Sequence, residues 1–303
     1  MFKTIDSEHN RKNMKQSLSA DENRSAGENR SAGENRSADE NRSADENRSV
    51  GENRSVVSTI GLPRLFRGEV YRLLHKKSLY IYSAALMLAY FILAFIRSNG
   101  FNEESVVSDA LSLFSLLPAF VGGFLFAAIY TDDLNSKNLI SLVGFGIGKA
   151  KIIIVKLLLL VLFATVLFML APLYHCAIYT ILGQAATKSM IFTTLALSIK
   201  YLLATIAFST LSGIVVYGMQ RATFAIVTYF LLVFGVVSSF ISIGLDTFAP
   251  TLTKHQMPGI TDRIFAAMTG EGSLPAPVLE YVIYMLIVMT ASILAFKKKE
   301  MEF

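Results

Sequence analysis

The chain has 303 residues, 53% of them apolar and 17% charged, and carries 28 lysines and arginines against 23 aspartates and glutamates for a net charge of +5. A single cysteine, Cys176, excludes an intrachain disulfide and any paired-cysteine metal motif, and His9, His75, His175 and His255 are too scattered for ligand spacing. The basic excess does not point to nucleic acid, because the cations stand at the ends of apolar stretches, where they anchor helices at anionic headgroups.

Residues 1–57 are polar. Positions 20–55 are six consecutive hexapeptides of the form Ala/Val-Asp/Gly-Glu-Asn-Arg-Ser. Such a segment cannot bury enough surface to offset its chain entropy, so a disordered cytoplasmic tail is expected. A solenoid would need a larger apolar position in each repeat. No apolar run precedes residue 57, so no cleavable signal peptide is expected and the first span serves as the insertion signal.

Residues 58–77 follow as an amphipathic helix. Leu62, Phe66, Val70, Leu73 and Leu74 fall on one helical face, with Arg64, Arg67, Arg72 and Lys76 largely on the rest. The expectation is a helix lying in the cytoplasmic interface, as a basic anchor for the first span or as a docking surface.

From residue 78 to 303 the pattern is that of a polytopic membrane protein, all-α, with six spans: Ser78–Ile96, Ala110–Tyr130, Ile152–Tyr174, Met190–Tyr217, Ala222–Leu245 and Val278–Phe296. Crossing ~30 Å of hydrocarbon takes about 20 helical residues, so each can span once. A barrel is excluded, since its strands alternate over about ten residues. Cytoplasmic loops retain lysine and arginine. One side has Arg64, Arg67, Arg72, Lys76, Lys77, Lys137, Lys149, Lys151, Arg221, Lys297, Lys298 and Lys299, while the other has Arg97, Lys188, Lys254 and Arg263. Both termini are therefore expected in the cytoplasm of a cell, with the chain in its plasma membrane.

Within these spans the acidic, lysine and arginine residues are Lys156, Lys200 and Glu280. Lys156 and Glu280 sit near span ends and are expected to snorkel. Lys200 snorkels if span four starts near Leu197, and lines a wet cavity if it starts at Met190. Proton-driven transport and intramembrane proteolysis are poorly supported, because the carboxylate chain, paired histidines or serine–histidine pair they need are missing. Gly144 to Ala150 only imitates a phosphate loop: Val143 stands where the first glycine belongs and Ala150 where Ser or Thr should follow Lys149. The chain is thus expected to be no enzyme and to hold no cofactor or metal.

The loop from Thr131 to Lys151 is the longest connection on the basic side. Asp132 and Asp133 can cap a short helix with Leu139, Leu142 and Val143 on its apolar face, which stops at Gly144 and turns through Gly146 and Gly148 into Lys149 and Lys151. With Lys137 among its polar residues, such a helix suits the groove of another protein.

Over about residues 62–299 the chain resembles permease subunits of type-2 ATP-binding-cassette exporters. The features carrying the resemblance are the basic interfacial helix, the six spans, and the loop pattern Asp133, Asn135 to Asn138, Leu139 and Ile140, Gly146 to Gly148, Lys149, Lys151, Ile152 to Ile154 and Lys156. Many such permeases have a Gly-Thr pair after the acidic residue and an arginine in the turn, whereas this chain has Ser136-Lys137-Asn138 and Lys149.

The resemblance implies export of an amphipathic or apolar substrate (peptide or bacteriocin, lipid, or drug). It implies separate ATPase subunits that bind ATP and dock on Asp132, Asp133, Lys137, Leu139, Leu142, Lys149 and Lys151, and a second permease, identical or related, among membrane lipids. The alternative is a non-pumping membrane sensor or immunity protein.

Between spans five and six, residues 246–277 contain Pro250, Pro258, Pro275 and Pro277, with a short amphipathic helix expected from Thr261 to Thr269 that presents Ile264, Phe265 and Met268. Hydroxyl residues gather in spans four and five, among them Ser198, Thr205, Ser209, Ser238 and Ser242, while span three has only Thr165. Spans four and five are therefore expected inside and span three against lipid, unless the hydroxyls merely bond their own helix carbonyls. In similar exporters span five borders the pathway with span two, whose Pro118, Gly122 and Gly123 would let it bend. Pro118, Gly122, Ser238, Ser242 and Lys200 are the candidate pathway residues.

Overall fold

A computed structural model describes residues 61–97, 103–135, 138–183 and 187–298, and every regular element among them is helical. The hexapeptide tail, Lys137 and Lys299 lie outside the described residues.

Helix α1, Leu62–Leu74, starts with Pro63 in its first turn, where the missing N–H costs nothing. Its residues Leu62, Leu65, Phe66, Val70 and Leu73 pack on the bundle, whereas Leu74 is exposed. After a break at His75 and Lys76, helix α2 runs Lys77–Arg97. Of its residues only Leu79 and Ala94 are buried.

The next span, α3, covers Val106–Leu134 within a helical stretch that begins at Glu103, and it widens into π turns at Pro118–Gly122 and Ala127–Thr131. The first has a plain cause. Pro118 has no N–H for the preceding turn, and a widened turn absorbs the misfit.

A short helix α4, Asn138–Gly144, leads to α5, Lys149–Ile181. Helix α6, Lys188–Met219, is capped by Thr187, whose hydroxyl accepts from the Met190 N–H at 3.2 Å, and ends at Gln220 in the left-handed region with φ 54°. Helices α7, Ala222–Val233, and α8, Val236–Phe248, meet at a 57° bend. The hinge is Gly235, with φ 72°. A 3₁₀ turn at Pro250–His255 precedes α9, Met257–Met268, and α10, Pro275–Lys298, completes the order.

Helix α6 is the centre, packed by α3, α5, α7, α9 and α10. Five helices are long and apolar enough to cross a membrane, and α7 with α8 makes a sixth only if the bent pair counts as one span. The segment expected as span five is thus bent, a feature its composition did not mark, because apolar content carries no record of a glycine hinge.

Span three also departs from expectation. Helix α5 buries Ile152, Val155, Leu159, Ala164, Phe168 and Ile178 while exposing Leu158, Leu162, Val166, Leu170 and Leu173. It is apolar all round, so neither face is marked for lipid in the sequence. The interior position of α6 does match: Thr194, Ser198, Thr205, Ser209, Thr210 and Ser212 are buried. Thr194, Thr205 and Thr210 bond their own helix carbonyls, whereas the Ser198 hydroxyl donates across to the Phe168 carbonyl of α5.

Candidate functional site: a buried charge cluster at the basic end

Helix α1 lies on the start of α5. Its inner stripe runs through Phe66, Val70 and Leu73, and Glu69 falls on the same face, so packing that stripe carries a carboxylate inward. The Lys156 ammonium donates to Glu69 Oε2 at 2.8 Å and also pairs with Asp133. Arg72 reaches both acids, with Nη2 2.8 Å from Glu69 Oε2 and Nη1 2.7 Å from Asp133 Oδ1. Lys76 extends the cluster by pairing with Asp132. Three carboxylates thus face three cations.

Asp133 is fully buried and Lys156 only 2% exposed. Lys156 therefore does not snorkel: α1 closes over it and supplies a counter-charge, which removes the reason to reach for water. Burial and the neighbouring Arg72 guanidinium pull the Lys76 amine below its ordinary range. Removing one partner from such a cluster leaves an uncompensated buried charge, whereas keeping all of them fixes how three elements sit together.

The cluster changes the roles expected for the loop. Asp133 is consumed by internal pairing, and Leu139 is 5% exposed and belongs to the core, with Leu142 packed beside it. The apolar face of α4 turns inward because Gly144 to Gly148 folds the chain back onto the bundle, where Ile147 is also buried. Lys149 donates to the Phe296 carbonyl at 2.9 Å and lies over that ring, tying the loop to the end of α10. Lys151 is exposed. What the loop presents outward is Phe145, 63% exposed at its tip, a residue that the helical reading of the loop passed over. An aromatic between two glycines was the signal available for it.

The five candidate pathway residues fall at three places in the fold. Pro118 and Gly122 are buried where α3 meets α6 and α7: the Tyr229 hydroxyl donates to the Pro118 carbonyl at 2.5 Å, and a Cβ on Gly122 would overlap that hydroxyl and stand 2.6 Å from Thr205 Cγ2. Ser238 and Ser242 lie beyond the 57° bend on α8, which buries none of its residues, and Ser242 accepts from Gln256 Nε2 at 3.0 Å.

Lys200 has a carboxylate partner on α9. Its ammonium is 2.6 Å from Asp262 Oδ1 and lies over the rings of Tyr201 and Phe265. That pairing exists because α9, which begins at Met257 rather than Thr261, buries Met257, Ile260, Thr261 and Ile264 against α6 and α10. Glu280 is held by Arg263 and, at 3.1 Å, by His255, so it too has protein partners.

Span two also reaches further than composition indicated. It takes in Asp109, which accepts from the Tyr179 hydroxyl at 2.8 Å. No group of three or more potential metal ligands occurs among the described residues. No protein-family model and no curated protein sequence matches the chain.

Proposed function

We propose that this chain is the membrane permease subunit of an exporter of the type-2 ATP-binding-cassette kind, working with a second permease and with separate cytoplasmic ATPase subunits. The reading places both termini in the cytoplasm and α1 in the interface, and takes an amphipathic or apolar molecule as cargo. The observation that carries it is the charge cluster: Asp133, at the start of the loop, is bound through Arg72 to α1 and through Lys156 to α5, and Asp132 pairs with Lys76 in the break after α1. A displacement applied to the loop is transmitted to two helices at once, since sliding any one of them would strand a buried charge. The loop tip offers Phe145 to a partner, with the exposed Lys151 nearby in sequence, while its remaining apolar residues brace the loop from within.

The test is purification from native membranes in mild detergent, comparing the unaltered chain with Phe145→Asp. The expected result is a co-purifying subunit that hydrolyses ATP, retained by the first and lost by the second at equal permease yield. If no ATP-hydrolysing subunit accompanies the unaltered chain, the reading falls and the non-pumping sensor or immunity protein takes its place.

A further inference from the structure

A half-open apolar cavity of about 410 Å³ lies between α2 and the pair α3 and α5, and Met87, Leu170 and Leu173 of its wall are more than half exposed. Leu86 and Met87 of α2 face Val121 of α3 and Leu167, Leu170 and Ala171 of α5 across it. Its volume is in the range of about 300–1,000 Å³ that small-ligand sites occupy.

The gap is held open by side chains rather than left by loose packing. At the wall, the Tyr82 hydroxyl donates to the Phe120 carbonyl at 3.0 Å, the Tyr174 hydroxyl donates to the Met87 carbonyl at 2.8 Å, and the Tyr90 hydroxyl pairs with His175 Nδ1 at 2.5 Å. The Tyr82 ring stacks on Phe124 at 4.3 Å. These rings act as struts between α2 and the bundle, which is why so little of α2 is buried.

Chemistry narrows the occupant. All three helices are apolar enough to span a membrane, and the lining residues fall well inside those spans, so the occupant must be something present in hydrocarbon. Water does not stay in a cavity without polar partners, and the three tyrosine hydroxyls are already engaged, leaving Ser83 as the remaining polar side chain of the wall. A polar drug-like molecule needs several convergent donors and acceptors. A flexible chain of methylenes needs none. We propose that this cavity seats a single acyl chain, from a membrane phospholipid or a free fatty acid, wedged between α2 and the bundle. The proposal does not rest on the exporter reading.

Two measurements test it on the full chain. In the first, the protein is taken through stepwise delipidation in detergent and weighed by native mass spectrometry. The expected result is one retained lipid per chain, lost in Ala171→Trp, which fills the cavity, and kept in Ile287→Trp, on the exposed face of α10. The mass of the adduct tells phospholipid from fatty acid.

The second uses the unaltered protein, so it stands even if Ala171→Trp does not fold. A diazirine-labelled phosphatidylcholine and a diazirine-labelled fatty acid are photolysed separately at substoichiometric loading, and the adducts are mapped. At least one probe should label peptides carrying Leu86 and Leu170 several-fold more than the peptide carrying Ile287. Equal labelling of these peptides by both probes, or a lipid retained equally by a well-folded Ala171→Trp, would overturn the proposal.

Discussion

Glu69 accepts a hydrogen bond from the Lys156 ammonium at 2.8 Å across 87 positions of sequence, and Asp133 pairs with the same ammonium. One lysine thereby joins an amphipathic helix, the end of α3 and the start of α5. Lys156→Met keeps the volume and removes the charge, leaving two buried carboxylates short of a cation. The expected cost is about 3–5 kcal/mol, read as a lowered thermal midpoint in detergent. Adding Glu69→Gln and Asp133→Asn to the same chain should recover part of that loss. An unaltered midpoint in the single variant would show the cluster to be more solvated than its burial indicates.

Gly122 leaves room for the hydroxyl that Tyr229 sends to the Pro118 carbonyl. Gly122→Ala should cost about 1–3 kcal/mol by overpacking, and Tyr229→Phe about 0.5–1.5 kcal/mol for the lost hydrogen bond. The two should couple, because removing the hydroxyl makes space for the methyl. Unfolding of both single variants and the double variant checks this, and strict additivity would refute the contact.

Lys200 and Asp262 form a different kind of pair, since the Asp262 side chain is 58% exposed. Asp262→Asn should therefore change stability by no more than about 1 kcal/mol. A loss matching that of Lys156→Met would mean that α9 is held on α6 mainly by this ion pair and not by Met257, Ile260 and Ile264.

Gly235 has φ 72° at the bend between α7 and α8. A side chain in that region costs about 1–2 kcal/mol, so Gly235→Ala should either lower the thermal midpoint accordingly or straighten the pair. Spin labels at exposed Val227 and Ile241 measure the angle, and a midpoint and distance both unchanged would show that the hinge does not depend on glycine.

Deleting residues 1–57 should leave expression, monodispersity and thermal midpoint unaltered, because the first five hexapeptides offer no large apolar side chain for a core to bury. A truncated chain that no longer assembles would assign the repeats a binding role.

The helical class and the approximate places of the spans were legible in the chain because crossing hydrocarbon demands long uninterrupted apolar runs, and composition alone records them. The buried hydroxyls of α6 were legible for a related reason: small polar groups collect where helices meet. Glu69 stood in plain sight between Phe66 and Leu73, but whether a carboxylate on an apolar stripe faces water or a lysine 87 positions away depends on which helix covers it. The partners of Lys200 and Lys156 were closed to sequence for the same reason, since α9 and α1 bring their carboxylates from distant segments. The inward turn of Leu139, the 57° bend at Gly235 and the tyrosine-strutted cavity beside α2 were likewise decided only by tertiary packing. Helices apolar enough to cross a membrane are apolar on nearly every face, so hydropathy marks them as able to span and leaves which face meets which to shape, hydrogen bonds and charge.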